Sequence, residues 1–234
     1  MNKIWTFGDS YAQYRYPDRT NWISKLETLL GYEARPRAVG GSSLDYTYYA
    51  VDKDLKFIGD DDIIIIALTS INRHWLLKES PQFGNYSTLA VNGGLDAEQL
   101  QFVQAYYANA NKELNTILLK NFLAALSVRS AAMKIKPIIF SSFPGTTELV
   151  LKTVDSKLNI VSGNLFDQVN KIEFTNVQDA NNFNKDTRIN HMCNGNHEIL
   201  AEKIFKFIND GTPIVLDGFL ADKAYVKDKT VYEK

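Results

Sequence analysis

Three runs of small polar residues in this sequence each follow a short apolar stretch. Gly8-Asp9-Ser10 closes residues 3–7, Gly40-Gly41-Ser42-Ser43 closes residues 34–39, and Thr69-Ser70-Ile71-Asn72-Arg73 closes residues 63–68. A serine at such a point can act as a nucleophile, but only if a neighbouring base takes its proton. Paired glycines let backbone approach a ligand closely and leave N–H groups free to donate. An asparagine amide can donate into the same crevice. A nucleophile flanked by fixed N–H donors suits attack on a centre that becomes negatively charged. The field for the base is narrow: the chain has three histidines, His74, His191 and His197. Each run taken alone is also an ordinary turn, with Ser10 capping the next helix in the first case.

Composition removes several other chemistries. Lys and Arg number 26 against 27 Asp and Glu, a net charge of -1, and this balance argues against nucleic-acid binding. One cysteine, Cys193, forbids an internal disulfide and a multi-thiolate metal site, and it reads as a small loop thiol. No Gly-x-Ser-x-Gly elbow, phosphate-binding loop or dinucleotide-binding glycine motif is present. His197-Glu198 starts like a zinc-protease helix, but Ala201 stands where the second histidine belongs. Asp60-Asp61-Asp62 reads as an acidic solvated turn before a buried strand. The expectation is therefore a protein without metal or cofactor.

The elements that position these residues alternate. Strand-length apolar runs lie at residues 3–7, 34–39, 63–68 and 137–143. The third is apolar throughout, the pattern of a strand buried on both faces. Helical periods fall at 21–30, stopped by Gly31, at 44–57, at 197–208, and over the long stretch 97–133, which reads as two helices or one bent one. The order predicts an α/β class: one three-layer α/β/α domain over 1–234 with a central parallel sheet. Two stretches break the alternation. Residues 74–94, polar and aromatic, read as an insertion. Residues 145–190 read as irregular, with a short strand near 158–161. The tyrosine pairs Tyr48-Tyr49 and Tyr106-Tyr107 read as helix core and rim. The start of the chain lacks the apolar run of a signal peptide, and no stretch reaches the roughly 18 apolar residues of a membrane span. The expectation is a cytoplasmic location unless a separate system exports the protein, without membrane association.

Taken together, Ser10, Gly41, Asn72 and His191 resemble the blocks of the SGNH/GDSL hydrolase family, in order and over nearly the whole chain. Phe7-Gly8-Asp9-Ser10 matches a first block of strand followed by Gly-Asp-Ser. Gly41 matches the glycine of the second block, Asn72 the asparagine of the third, and His191 the histidine shortly before a C-terminal helix. His197, where that helix is expected to begin, reads as a cap or surface residue. The resemblance implies a flavodoxin-like fold and serine-esterase chemistry. Ser10 would attack an ester carbonyl while His191 takes its proton and returns it to the leaving alcohol. The backbone N–H groups of Ser10 and Gly41 and the Asn72 side chain would hold the oxyanion.

The chain departs from that pattern at informative places. Arg188 stands where the family usually carries an acid three residues before the histidine. Asp186, two residues further back, or a backbone carbonyl would then orient His191. Arg73 follows Asn72 where an acid is common, and Ser70 replaces the usual glycine. Two cations at acid positions suggest a substrate-binding role for Arg73 and Arg188 toward an anionic ester, with His74 at the site edge; the alternative is that both arginines make local ion pairs. The resemblance implies a small-molecule or saccharide ester as substrate, with a small acyl group on a carbohydrate favoured. The rival reading is an inactive binding or structural module that keeps the fold.

Overall fold

Ile63–Leu68 (β3), Ile-Ile-Ile-Ile-Ala-Leu, is the centre of the molecule and shows how the sheet is covered. Ile64, Ile66 and Leu68 join one apolar cluster, while Ile65 and Ala67 join another on the opposite face. Side chains alternate across a strand, so a strand apolar at every position needs cover on both sides. The protein is described here by a computed structural model, which covers residues 2–14, 21–76, 96–153, 158–173, 192–220 and 223–225.

In chain order the elements are β1 (Lys3–Gly8), α1 (Trp22–Leu30), β2 (Glu33–Pro36), α2 (Leu44–Asp54) running into a 3-10 turn at Leu55–Phe57, and β3. Then come α3 (Ala97–Ala108), α4 (Lys112–Ala132), β4 (Ile138–Ser141), α5 (Pro144–Thr153), β5 (Asn159–Asn164), the short α6 (Leu165–Val169) and β6 (Asn170–Glu173). The helix α7 (Asn194–Asp210) and a strand β7 (Lys223–Tyr225) follow. Strands β1 to β5 form one sheet in the order β2-β1-β3-β4-β5, with every pairing parallel. This is the doubly wound order of flavodoxin-like folds, whose crevice opens where the strand order reverses, beside β1 and β3. The expected α/β class with a central parallel sheet is what the structure has. Strands β6 and β7 pair separately. Among the described residues no helix is long and apolar enough to cross a membrane.

Trp22, Ile23 and Leu26 of α1 and Leu200, Ala201 and Ile204 of α7 cover one face of the sheet. Leu44 and Val51 of α2 and Leu119, Leu123 and Leu126 of α4 cover the other. Truncating one such leucine to alanine costs about 2–5 kcal/mol. Helix ends follow local chemistry. Asn21 caps α1 by accepting from Ser24 N, and Gly31 ends it at φ 67°. Ser43 caps α2 by accepting from Tyr46 N, and Asp96 and Gln99 form a capping box on α3.

Two stretches differ from the sequence reading, and a third takes one of its two expected forms. The second strand stops at Pro36, which has no N–H to give; Arg37 N and Ala38 N then both bond Thr6 O, and Val39 N bonds Gly8 O, so the chain still tracks β1. The stretch 97–133 is two helices, the first of the two forms expected for it. The stretch 145–190 carries most of α5, then β5, α6 and β6 before it leaves the described residues. Its expected strand near 158–161 is β5, an edge strand in which Ile160 and Val161 alone are aliphatic. Most of the expected insertion at 74–94 lies outside the described residues.

Candidate active site

Gly8 ends β1 at φ 127°, a conformation that L side chains rarely adopt, and a Cβ there would sit 2.2 Å from Ala67 O of β3. The position therefore demands glycine twice over, once for its dihedral and once for close packing of two strands. Beyond it Asp9, Ser10 and Tyr11 form a turn, closed by Ala12 N on Asp9 O at 3.0 Å. Trp22 Nε1 bonds Tyr11 O at 2.7 Å, and the Tyr11 ring packs edge-on against Phe143. This packing covers the turn. Ser10 is 9% exposed rather than open at a strand end, and its Oγ is buried without a hydrogen-bond partner among the described residues.

Asp9, fully buried, ties that turn to two other strand ends. Its Oδ1 accepts from Tyr11 N at 3.1 Å and from Ser142 Oγ at 3.0 Å, just past β4. Its Oδ2 lies 3.5 Å from Arg73 Nη1, in the loop after β3. Arg73 is 3% exposed, also bonds Thr69 Oγ1 at 2.9 Å, and lies 4.6 Å over the Phe143 ring. Its guanidinium is thus engaged by protein groups, with Asp9 as its local counter-charge. The physical reason is that a buried carboxylate and a buried guanidinium each need a counter-charge, and here they supply one another.

Gly41 adopts φ 74° in the turn after β2, and Ser42 Oγ donates to Gly8 O at 2.9 Å, joining this turn to the end of β1. Asn72 is half-buried in the turn after β3, its N–H 3.3 Å from Ser70 Oγ. Ser10, Gly41 and Asn72 therefore all lie beyond the C-terminal ends of the adjacent strands β1, β2 and β3. His74 follows in the same loop, 5% exposed. Its Nδ1 is 3.1 Å from Asp45 Oδ2, which also accepts from Trp75 N at 3.1 Å. The rings of Tyr106 and Tyr107 stand 5.4 Å and 6.3 Å from the imidazole. Burial pushes both of these phenols above their ordinary range. His74 Nε2 is buried and makes no hydrogen bond among the described residues.

The readings on Asp186, Arg188 and His191 fall outside the described residues. The chain is described again from Met192, buried in the α1/α7 cluster. Helix α7 then begins at Asn194, three residues earlier than expected, so His197 lies within its first turn and is not its cap. The cap is Cys193, whose Sγ accepts from Asn196 N at 3.4 Å. Sequence reasoning also passed over three polar residues that organise the site: Asp9 as a hub, Asp45, and Ser142. Ser142 carries the same signal as the others, a small polar residue just after an apolar strand.

The chain matches no family model and no curated protein sequence. Among solved structures it is similar to a proposed lipolytic protein of the G-D-S-L family from Desulfitobacterium hafniense DCB-2, at 14% identity and a TM-score of 0.32, over 65% of this chain and 67% of that one. It is also similar to a proposed SGNH hydrolase from Slackia heliotrinireducens, at 14% identity and a TM-score of 0.30, over 59% of this chain and 54% of that one. Superpositions this loose carry no argument about activity.

Proposed function

We propose that this chain is a serine ester hydrolase whose nucleophile is Ser10. The observation that carries the reading is the state of that side chain: a buried hydroxyl with no partner among the described residues, at the end of β1, in a fold whose sites form at that place. In this reading His191 takes the Ser10 proton and returns it to the leaving alcohol, with Asp186 orienting the imidazole. The Ser10 and Gly41 N–H groups and the Asn72 amide hold the tetrahedral oxyanion. Asp9 holds the Ser10 turn through Tyr11 N, and Ser42 holds the Gly41 turn against it. The chemistry needs a small-molecule ester and no cofactor.

A small acyl ester on a saccharide is the substrate we favour. Trp75 lies 5.5 Å from Tyr46 and 5.4 Å from Tyr49, a half-exposed aromatic group near Asn72 of the kind that stacks on sugar rings. The whole of 1–234 is read as one unit of this kind, acting away from nucleic acid and membranes.

The burial of Ser10 Oγ favours one rival, a binding module that keeps the fold without the reaction. Labelling with a fluorophosphonate separates the two. The hydrolase reading expects labelling of the wild type that disappears in Ser10→Ala. Well-folded wild type that takes no label overturns it in favour of the module.

A further inference from the structure

The two donors assigned to Gly41 and Asn72 come from loops after β2 and β3, which flank β1 and do not pair with each other. The sheet hydrogen bonds therefore do not by themselves set the distance between those loops. One carboxylate bridges them. Asp45 stands in the first turn of α2, just after the Gly41 turn and the Ser43 cap. Its Oδ2 accepts from His74 Nδ1 and from Trp75 N, both at 3.1 Å, in the loop that carries Asn72. His74 is held from the other side as well: its ring meets Tyr106 and Tyr107 of α3. An ionised carboxylate only accepts, so the hydrogen of the couple is assigned to Nδ1.

We propose that the Asp45–His74 couple is a clasp that sets the spacing of the oxyanion donors, which makes both of them positioning residues for the reaction. The proposal rests on the serine-hydrolase reading above. His74 acts through Nδ1 and through Asn72, two residues away. Its Nε2, which bonds nothing among the described residues, has no part in it. This separates the clasp from a role of the imidazole as a base, which would need Nε2.

Two amide side chains distinguish the nitrogens. Asparagine places an N–H near the position of imidazole Nδ1, and glutamine places one near Nε2. Kinetics on p-nitrophenyl acetate would be measured for H74A, H74N and H74Q, each also in an N72A background, with near-UV circular dichroism to confirm folding. Misplacing a donor by an ångström costs up to about 10²-fold, so H74A is expected to lower kcat by roughly ten- to a hundredfold with KM unchanged. H74N recovers most of that loss and H74Q does not. In the N72A background the loss on adding H74A shrinks toward nothing, because the donor it positions is already gone. If H74A does not fold, H74N against H74Q decides. Full kcat in H74A or H74Q, equal losses in H74N and H74Q, or losses additive with N72A overturn the clasp while the hydrolase reading stands. A wild type that neither hydrolyses the ester nor takes a fluorophosphonate overturns the reading itself, and the catalytic role of the clasp with it.

Discussion

The two ends of the central strands treat their aspartates differently. At the N-terminal end, Asp62 accepts from Lys3 N at 2.9 Å and Trp5 Nε1 at 2.9 Å, tying the start of β3 to β1, and from Gly59 N at 3.0 Å. It is not the merely solvated turn that its acidic neighbours suggest. At the C-terminal end, Asp9 satisfies one oxygen twice, while among the described residues the other has only a 3.5 Å ion pair. In the loops at this end, Ser10 Oγ and His74 Nε2 are buried without hydrogen bonds among the described residues. An unmatched buried polar group costs about 1–3 kcal/mol, and Tyr48 Oη of α2 and Ser130 Oγ of α4 carry the same cost. The contrast teaches that a fully matched carboxylate, Asp62, ties strands together at one end, whereas the other end keeps the unmatched Ser10 hydroxyl that the hydrolase reading uses.

That contrast can be broken in three places. The largest effect is expected from Ser10→Ala, which should abolish ester hydrolysis, roughly 10⁴-fold or more, while leaving the melting temperature unchanged or raised. Loss of stability comparable to a core truncation would return Ser10 to the structural side. Next, Asn72→Ala is expected to lower kcat by about 10²–10³ with little change in KM, as for the loss of one oxyanion donor. A change confined to KM would make Asn72 a ground-state binder instead. Both effects belong to the C-terminal end.

The smallest effect belongs to the other end. Asp62→Asn should cost about 1 kcal/mol and leave kcat untouched, which thermal melts and steady-state rates together would show. Burial pushes the Asp62 carboxyl up, but the hydrogen bonds from Trp5, Gly59 and Lys3, with the Lys3 charge, outweigh it and hold the group below its ordinary 3.8. A folded-state value below the unfolded one means stability that is present above the unfolded value and lost as pH falls through the folded one. The gap in melting temperature between wild type and D62N should therefore be full above about pH 4 and shrink below it. A gap that persists in acid would show that the Asp62 bonds owe nothing to its charge.

Much of the frame is legible in the chain because it is local. β3 announces itself by six apolar residues in a row, and α1 by its period and Gly31. The start of helix α7 is hard to read from the sequence because Cys193 is an unusual cap, and nothing in its type signals that its sulfur accepts from Asn196 N. Strand β5 is faint because it lies at the sheet edge, where the polar Asn159, Ser162 and Asn164 are tolerated. Ser10, Gly41 and Asn72 could be picked out because small polar residues after strands are a recognisable signal. The position of Arg73 is legible too, but its counter-charge is not, since Asp9 is 64 residues away.

By itself, then, the sequence determined the alternation of strands and helices, the two-faced burial of the sheet and the kinds of residue at each strand end. These follow from periodicity and turn chemistry, which act over a few residues. The tertiary structure alone decided which polar groups are matched and which are not. Asp9 meets Ser142 across 133 residues and Asp45 meets His74 across 29. Such pairings depend on where the parallel strands bring their loops, because hydrogen bonds act over about 3 Å whatever the separation along the chain.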